Sequence, residues 1–425
     1  MRENVRMIRL LLLILAGTAS VSTPAAQSVP GAAPIFQELK SPASAEAAFP
    51  QLAADGKGGV YMTWLETLPE GAGHRLRLSH RKEGGLWEEP TPVHEGRDFW
   101  RNWADFPGVG VFADGSVMVQ WLARSGEATY DYNITASISR DNGRTWGAPF
   151  LINTDGVKAE HGFVSFAATD KGMAVVWLDG RETKGGHEGD HASPGGGAMT
   201  LRIAEFLSDG TRVREARLDA KVCDCCQTAV VNTKKGLLAA YRDRSDTELR
   251  DISLVRPFAD KPEPREFSKD GWKINACPVN GPALASGGDV VAATWFTMGG
   301  GKARVRAAVS RDGGDTFAPA FDVDAAFSLG RVDIGIVPGG ETLLSWLGRG
   351  EEGASEIKAA FVGHDGKLKP AFKVAATSMA RASGFPRFEV SGAEVVFAWT
   401  EVQAAATDSP APPPSRVRTS VMKLR

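Results

Sequence analysis

The chain has 425 residues, with 49 basic and 51 acidic side chains and a formal charge of −2, so it lacks the cationic footprint of a nucleic-acid binder. Hydrophobic residues make up 43% of it, enough to fill one large domain or two to three ordinary ones. Its 48 glycines and 24 prolines make it turn-rich without reaching a disordered or collagen-like composition.

Residues 1–26 read as an export signal. Arg2, Arg6 and Arg9 form a basic start, and Leu10 to Gly17 an apolar run too short for a permanent span. Small residues follow, with Thr23-Pro24-Ala25-Ala26 as a cleavage region and no cysteine to carry a lipid. No later apolar run is long enough to cross a bilayer. The expectation is an exported monomer, periplasmic or secreted, with a single domain over 35–425.

That domain is built from a repeat. Seven short apolar strands each end in an aromatic residue, at Trp64, Trp121, Trp177, Tyr241, Trp295, Trp346 and Trp399, spaced 57, 56, 64, 54, 51 and 53 residues apart. A short strand and a glycine turn precede each one, as at Asp55-Gly56 and Lys235-Gly236. An alternating strand follows, as in Arg75 to Ser79, and then a fourth, as in Pro149 to Asn153. Period-two alternation with turn punctuation predicts all-β structure, and repeated four-stranded units predict the blades of a β-propeller. Seven units predict seven blades. The last unit is one strand short, while Ile35 to Lys40 stands alone ahead of the first. It is expected to complete the last blade and close the ring, which removes unpaired edges. The proline-rich stretch from Ala404 to Ser415 is then a long loop in that blade.

Two turns between third and fourth strands carry a motif. Ser139-Arg-Asp141-Asn-Gly143-Arg-Thr145-Trp146 and Ser310-Arg-Asp312-Gly-Gly314-Asp-Thr316-Phe317 fit Ser-x-Asp-x-Gly-x-Thr-aromatic. Ser and Asp can bond turn backbone, glycine permits positive φ, and the aromatic packs beneath. By this motif the chain resembles the sialidase superfamily of Asp-box propellers, over nearly all of residues 35–425. The resemblance implies a propeller, six-bladed in the usual sialidase and hence the alternative to seven, and a glycoside hydrolase of exo-sialidase type if the protein is an enzyme. The arginine of the family's opening signature is missing from Phe49-Pro50-Gln51-Leu52, so no catalytic arginine set carries over.

Loops entering the inner strands and leaving the second strands share one face of a propeller, and Asp-box turns lie on the other. Sorted this way, the first face holds Trp100, Arg101, Trp103, Glu160, His161, Asp179, Arg181, His187, His191, Arg242, Asp243, Arg244, Arg331 and Arg381. Ligand sites favour such loops over a rigid scaffold. Arg101, Arg181, Arg242, Arg244 and Arg331 are candidates to grip an acidic glycan or other anion bidentately, and Trp100 and Trp103 to stack on sugar rings. Hydrolysis would need carboxyls flanking the scissile bond, for which Asp179, Asp243 and Glu160 are the candidates and Asp105 a weaker one. The alternative for each cation and indole is a tie between blades.

All four cysteines fall on the same face, at Cys223, Cys225, Cys226 and Cys277. Even numbers in an exported chain suggest disulfides, but the Cys-x-Cys-Cys spacing strains two bridges within the cluster. One bridge to Cys277, most plausibly from Cys226 or Cys223, or a soft-metal site for Cu or Zn, are both open. His161, and His187 and His191 in a glycine-rich loop, are candidate metal ligands. The functions left open are an acidic-glycan binder or hydrolase, a metal-binding or redox protein, and an interaction scaffold.

Overall fold

A computed structural model describes residues 34–183, 197–259, 261–350, 354–402 and 414–424, all within the compact unit Pro34–Arg425. They form seven four-stranded antiparallel sheets. Six blades run in chain order over 47–96, 108–151, 161–219, 229–266, 283–324 and 328–377. The seventh combines Arg387–Ser391, Glu394–Val402 and Ser415–Lys423 with the N-terminal strand Phe36–Leu39. Phe36 pairs with Met422 and Leu39 with Thr419, so the ring closes as its missing strand predicts. Among the described residues no helix is long and apolar enough to cross a membrane. The leader, His187, His191 and most of the proline-rich loop lie outside the described residues.

The repeated aromatic holds each blade in place. Trp64, Trp121, Trp177, Trp295 and Trp346 are among the largest fully buried side chains. A buried indole still needs an acceptor for its N–H. Trp64 donates to Glu66 at 2.9 Å, Trp177 to Asp179 at 2.7 Å, Trp295 to Asp270 at 2.7 Å and Trp346 to Asp324 at 2.8 Å. The third strand places an arginine opposite several of them, in the pairs Trp64–Arg77, Trp177–Arg202, Trp295–Arg306 and Trp399–Arg418. That arginine meets the acid as well, with Arg77 at 3.3 Å from Glu66 and Arg306 at 2.6 Å from Asp270. Indole, carboxylate and guanidinium thus form a recurrent blade lock.

Neighbouring blades are latched around the channel. The inner strands of blades 1, 3 and 6 are bulged, with Phe49 (φ 60), Phe163 (φ 56) and Arg331 (φ 51) in the left-handed region. Bulky residues adopt that conformation only under constraint, and each bulge has one. A side chain from the preceding blade accepts the amide N–H: Thr400 from Phe49 at 2.9 Å, Asp105 from Phe163 at 2.7 Å and Asn280 from Arg331 at 2.7 Å. Gly162 precedes the second bulge because a Cβ there would lie 1.8 Å from Asp105 Oδ2.

Both Asp boxes are turn locks on the opposite face from these bulges. Ser139 Oγ accepts the Gly143 N–H at 2.8 Å, and Asp141 accepts the Thr145 N–H at 2.8 Å and hydroxyl at 2.6 Å. Ser310, Asp312, Gly314 and Thr316 repeat this arrangement. Those hydrogen bonds, the Thr145 hydroxyl first, hold the Asp141 carboxyl down at about 2. Phe317 packs edge-on against Phe267, and Trp146 against the core of blades 1 and 2.

Candidate functional site

The loops leading into blades 4 and 5 bring the four cysteines together. Cys223 Sγ lies 2.9 Å from Cys226 Sγ and 4.0 Å from Cys225 Sγ, and the three sulfurs all lie within 4.8 Å of one another. Cys277, 51 residues beyond Cys226 in sequence, hydrogen-bonds Cys225. All four are free thiols, so the expected disulfide is not formed, and the sulfur Cys277 meets is Cys225 rather than Cys226 or Cys223. Cys223 and Cys226 are buried, Cys225 and Cys277 half-buried. Burial pushes the Cys223 thiol up to about 11. At Cys226 burial acts the same way, but hydrogen bonds from Cys223 and Cys225, the Arg242 charge and the Asn280 amide outweigh it and hold the thiol well below its ordinary range.

The arginines around this cluster are anchors. Arg242 donates to the carbonyls of Asn280 (3.0 and 2.8 Å), Arg250 (2.6 Å) and Phe296 (2.7 Å), and so fastens the blade 5 loop to blade 4. Arg244 pairs with Asp224 at 2.9 Å and Glu248 at 2.9 Å. Arg331 donates to Ser383 Oγ and the Gly384 carbonyl, and Arg181 grips Asp179 through two contacts of 2.7 Å. Arg181, Arg242, Arg244 and Arg331, the candidates to hold a ligand's anion, thus each already have fixed acceptors within the fold. Arg250, a further cation after the strand exit that carries Arg242 and Arg244, is paired with Glu248 at 2.8 Å. It is fully buried, and its Nη1 lies 3.4 Å from Cys223 Sγ.

The candidate carboxyls are likewise engaged. Asp179 is fully buried as the blade 3 lock. Its spacing from Trp177 repeats in Trp64-Leu-Glu66, where Glu66 accepts the indole N–H in the same way, and this is the sequence signal for a structural role. Asp243 accepts the Arg244 N–H at 2.7 Å and the Ser253 hydroxyl at 3.0 Å. Glu160 accepts the Tyr132 hydroxyl at 2.7 Å, and Asp105 lies 3.3 Å from the same oxygen. All three groups are buried, Glu160 at 7% and Asp105 at 2% exposure. Burial pushes Asp105 up to about 7 and Glu160 well above the usual carboxylate range. Trp100 is buried and stacks on Tyr132 at 4.0 Å, so it packs a blade junction instead of facing a sugar.

His161 is fully buried. Its Nδ1 lies 3.0 Å from the Ala159 carbonyl and 3.1 Å from that of Tyr132, while Nε2 faces Asp155 at 3.2 Å and Asp179 at 3.8 Å. Burial works against a charge there, yet the two aspartates raise its pKa overall. Asp155, His161 and Asp179 have metal-like spacing, but Arg181 already sits on both carboxylates at 2.7 and 3.4 Å. This group is separate from the cysteines.

The channel mouth holds exposed cations and an aromatic surface. Arg101 and Arg381 are exposed and Trp103 is half-buried. Arg101 lies 4.8 Å over the Phe49 ring and Arg381 6.0 Å over Trp103, which stacks on Phe385 at 6.0 Å. Below them a cavity of about 200 Å³ is lined by Gln51, Asp105, Gln227, Asp333, Phe385 and Arg387, among others.

No protein-family model matches the chain, and no curated protein matches it either. Solved structures do. A Dyadobacter fermentans protein of unknown function is 14% identical, covers 93% of this chain and 100% of its own, and superposes with a TM-score of 0.50. An α-L-arabinofuranosidase from Fusarium graminearum is 12% identical over 92% of this chain and 96% of its own, with a TM-score of 0.50. A Hadza microbial sialidase is 14% identical over 81% and 73%, with a TM-score of 0.49. At these identities the likeness concerns the fold.

Proposed function

We propose that the protein is an exported propeller that binds an acidic glycan at the mouth of its central channel and does not hydrolyse it. The observation that carries this reading is exposed Arg381 lying over the half-buried indole of Trp103, with exposed Arg101 two residues before that indole in the same loop. A sugar ring can stack on the indole while its carboxylate or sulfate is held by the guanidinium groups. The carbohydrate class is taken from the Asp-box resemblance, and export from residues 1–26. What supports binding without turnover is that Asp179, Asp243 and Glu160 already hold internal donors and Asp105 accepts the Phe163 N–H, whereas hydrolysis needs two carboxyls facing the scissile bond.

Calorimetric titration with sialic acid- or uronic acid-terminated oligosaccharides, beside their neutral counterparts, tests this. Acidic ligands should bind in preference and weaken with salt; Arg101→Ala/Arg381→Ala should abolish the preference, and Trp103→Ala should weaken acidic and neutral ligands alike. Equal affinity for neutral sugars, an unaffected double variant, or release of the terminal acidic sugar would overturn it.

A further inference from the structure

The four cysteines have no part in the channel-mouth reading. Two loops from separate blades deliver them to one point, and both loops are fixed from below. Arg242 holds the blade 5 loop through the Asn280 carbonyl at 2.8 Å. Gln227, beside Cys226, accepts the Gly281 N–H at 3.1 Å, and a Cβ on Gly281 would lie 1.9 Å from the Gln227 carbonyl oxygen. The approach is therefore close and leaves little freedom between the loops. The Cys223 amide is tied in turn to the Arg242 carbonyl at 3.0 Å.

The spacing suits coordination better than apolar packing. A metal with bonds of about 2.3 Å to sulfur sets tetrahedral sulfurs about 3.8 Å apart. Cys223 and Cys225 stand at 4.0 Å, and the three sulfurs of their loop span no more than 4.8 Å. Cys223 and Cys226, at 2.9 Å, need to open by about 1 Å, a side-chain adjustment. Cys277 approaches Cys225 from the facing loop but lies outside the group of three mutually within 4.8 Å, so it has to close in to supply a fourth sulfur. Several thiolates on one ion carry excess negative charge, and a buried cation offsets it. Arg250, with no exposed surface, places Nη1 3.4 Å from Cys223 Sγ. Arg250 is held there by Glu248 at 2.8 Å, with Asp224 3.8 Å away, which leaves Nη1 aimed at the sulfur as a fixed charged donor. Half-burial of Cys225 and Cys277 leaves an opening through which an ion can arrive.

We propose that Cys223, Cys225, Cys226 and Cys277 bind one thiophilic metal ion, Cu(I) or Zn(II), across the junction of blades 4 and 5. All-sulfur ligation selects these ions over hard cations. The outer partners, Arg250 on Cys223 and the Arg242-held Asn280 loop on Cys226, keep the sulfurs in place.

The test uses the full chain, reduced, stripped of metal and kept anaerobic. Titration with Co(II) should give one ion per chain, with near-ultraviolet thiolate charge-transfer bands and the visible bands of a tetrahedral site. Zn(II), and separately Cu(I) buffered by a chelator, should displace it, and their relative affinities say which ion the site prefers. Cys225→Ser and Cys277→Ser should each weaken Co(II) binding by more than the ~10–100-fold typical of losing a ligand's outer partner, with unchanged circular dichroism. Cys277→Ser is decisive, because a site made by the 223–226 loop alone would ignore it. Absence of stoichiometric binding, an unaffected Cys277→Ser variant, or a reduced-state cluster that only reoxidises to a Cys223–Cys226 disulfide without taking up metal would each overturn the proposal.

Discussion

Asp105 offers a quantitative test of how the blades are latched. Its carboxyl is 2% exposed, accepts the Phe163 N–H at 2.7 Å and faces the Tyr132 hydroxyl. Burial raises it from an ordinary 3.8 to about 7. Below the lower value both folded and unfolded chains hold the proton, and the group has no effect. Between the two, the unfolded chain ionises first while the fold keeps its proton, so stability falls as pH rises. Above about 7 the whole penalty applies, about 4 kcal/mol at 1.36 kcal/mol per pH unit, of which about 2.5 kcal/mol develops between about pH 5 and about pH 8. Glu160, raised by burial as well, acts with the same sign. Asp105→Asn keeps the oxygen that accepts from Phe163 and cannot ionise. Unfolding free energies of wild type and Asp105→Asn, from denaturant titrations at the two pH values, should differ by about 2.5 kcal/mol more at about pH 8 than at about pH 5, the variant gaining on wild type as pH rises. Parallel loss in both proteins would mean that Asp105 is ionised in the fold and that the reasoning from burial is wrong.

Trp177→Phe removes the indole N–H from buried Asp179, whereas the Trp121 indole N–H has no hydrogen-bond acceptor. Trp177→Phe should therefore cost about 1–3 kcal/mol more than Trp121→Phe in urea unfolding, and equal costs would refute the blade lock. Gly162→Ala sets a Cβ 1.8 Å from Asp105 Oδ2 and should destabilise by about 1–3 kcal/mol, a loss visible in the same assay. Asp141→Ala and Asp312→Ala should lower the melting temperature and leave glycan affinity unchanged, because both hold turns on the far face. Removing residues 27–40 should leave Ser415–Lys423 with an open edge and produce oligomers by light scattering; a stable monomer would show that the ring does not need its first strand.

The architecture was legible because its strongest signal is local. An aromatic-ended strand and a glycine turn recur in every unit, and each can be read without knowing its neighbours. The short seventh unit and the solitary Ile35 to Lys40 likewise pointed to their pairing. The convergence of the cysteines followed from topology, since loops of successive blades lie side by side. Which sulfur meets which did not follow, because that depends on how Arg242 and Gln227 set the two loops. Residue roles were the least legible. An arginine looks the same in the sequence whether it ends up exposed over an aromatic ring, as Arg101 does, or clasps backbone carbonyls of the next blade, as Arg242 does. Asp179 shows that a remedy existed, for its place two residues after the repeated tryptophan marks it as part of the lock.

Pairing the first strand with the last has a kinetic consequence. Arg418 and Glu38, which join in an ion pair, stand 380 residues apart in sequence, a separation whose closure entropy no local contact repays in advance. As the chain emerges from the ribosome, the sheets of blades 1 to 6 can each form from four consecutive strands as they are made. Blade 7 cannot, because Phe36–Leu39 must wait for Ser415–Lys423. Until then both ends of the growing arc are sticky sheet edges. The final strand therefore works as a clasp: a chain cut short before it lacks the whole ring's closure as well as nine residues of one blade.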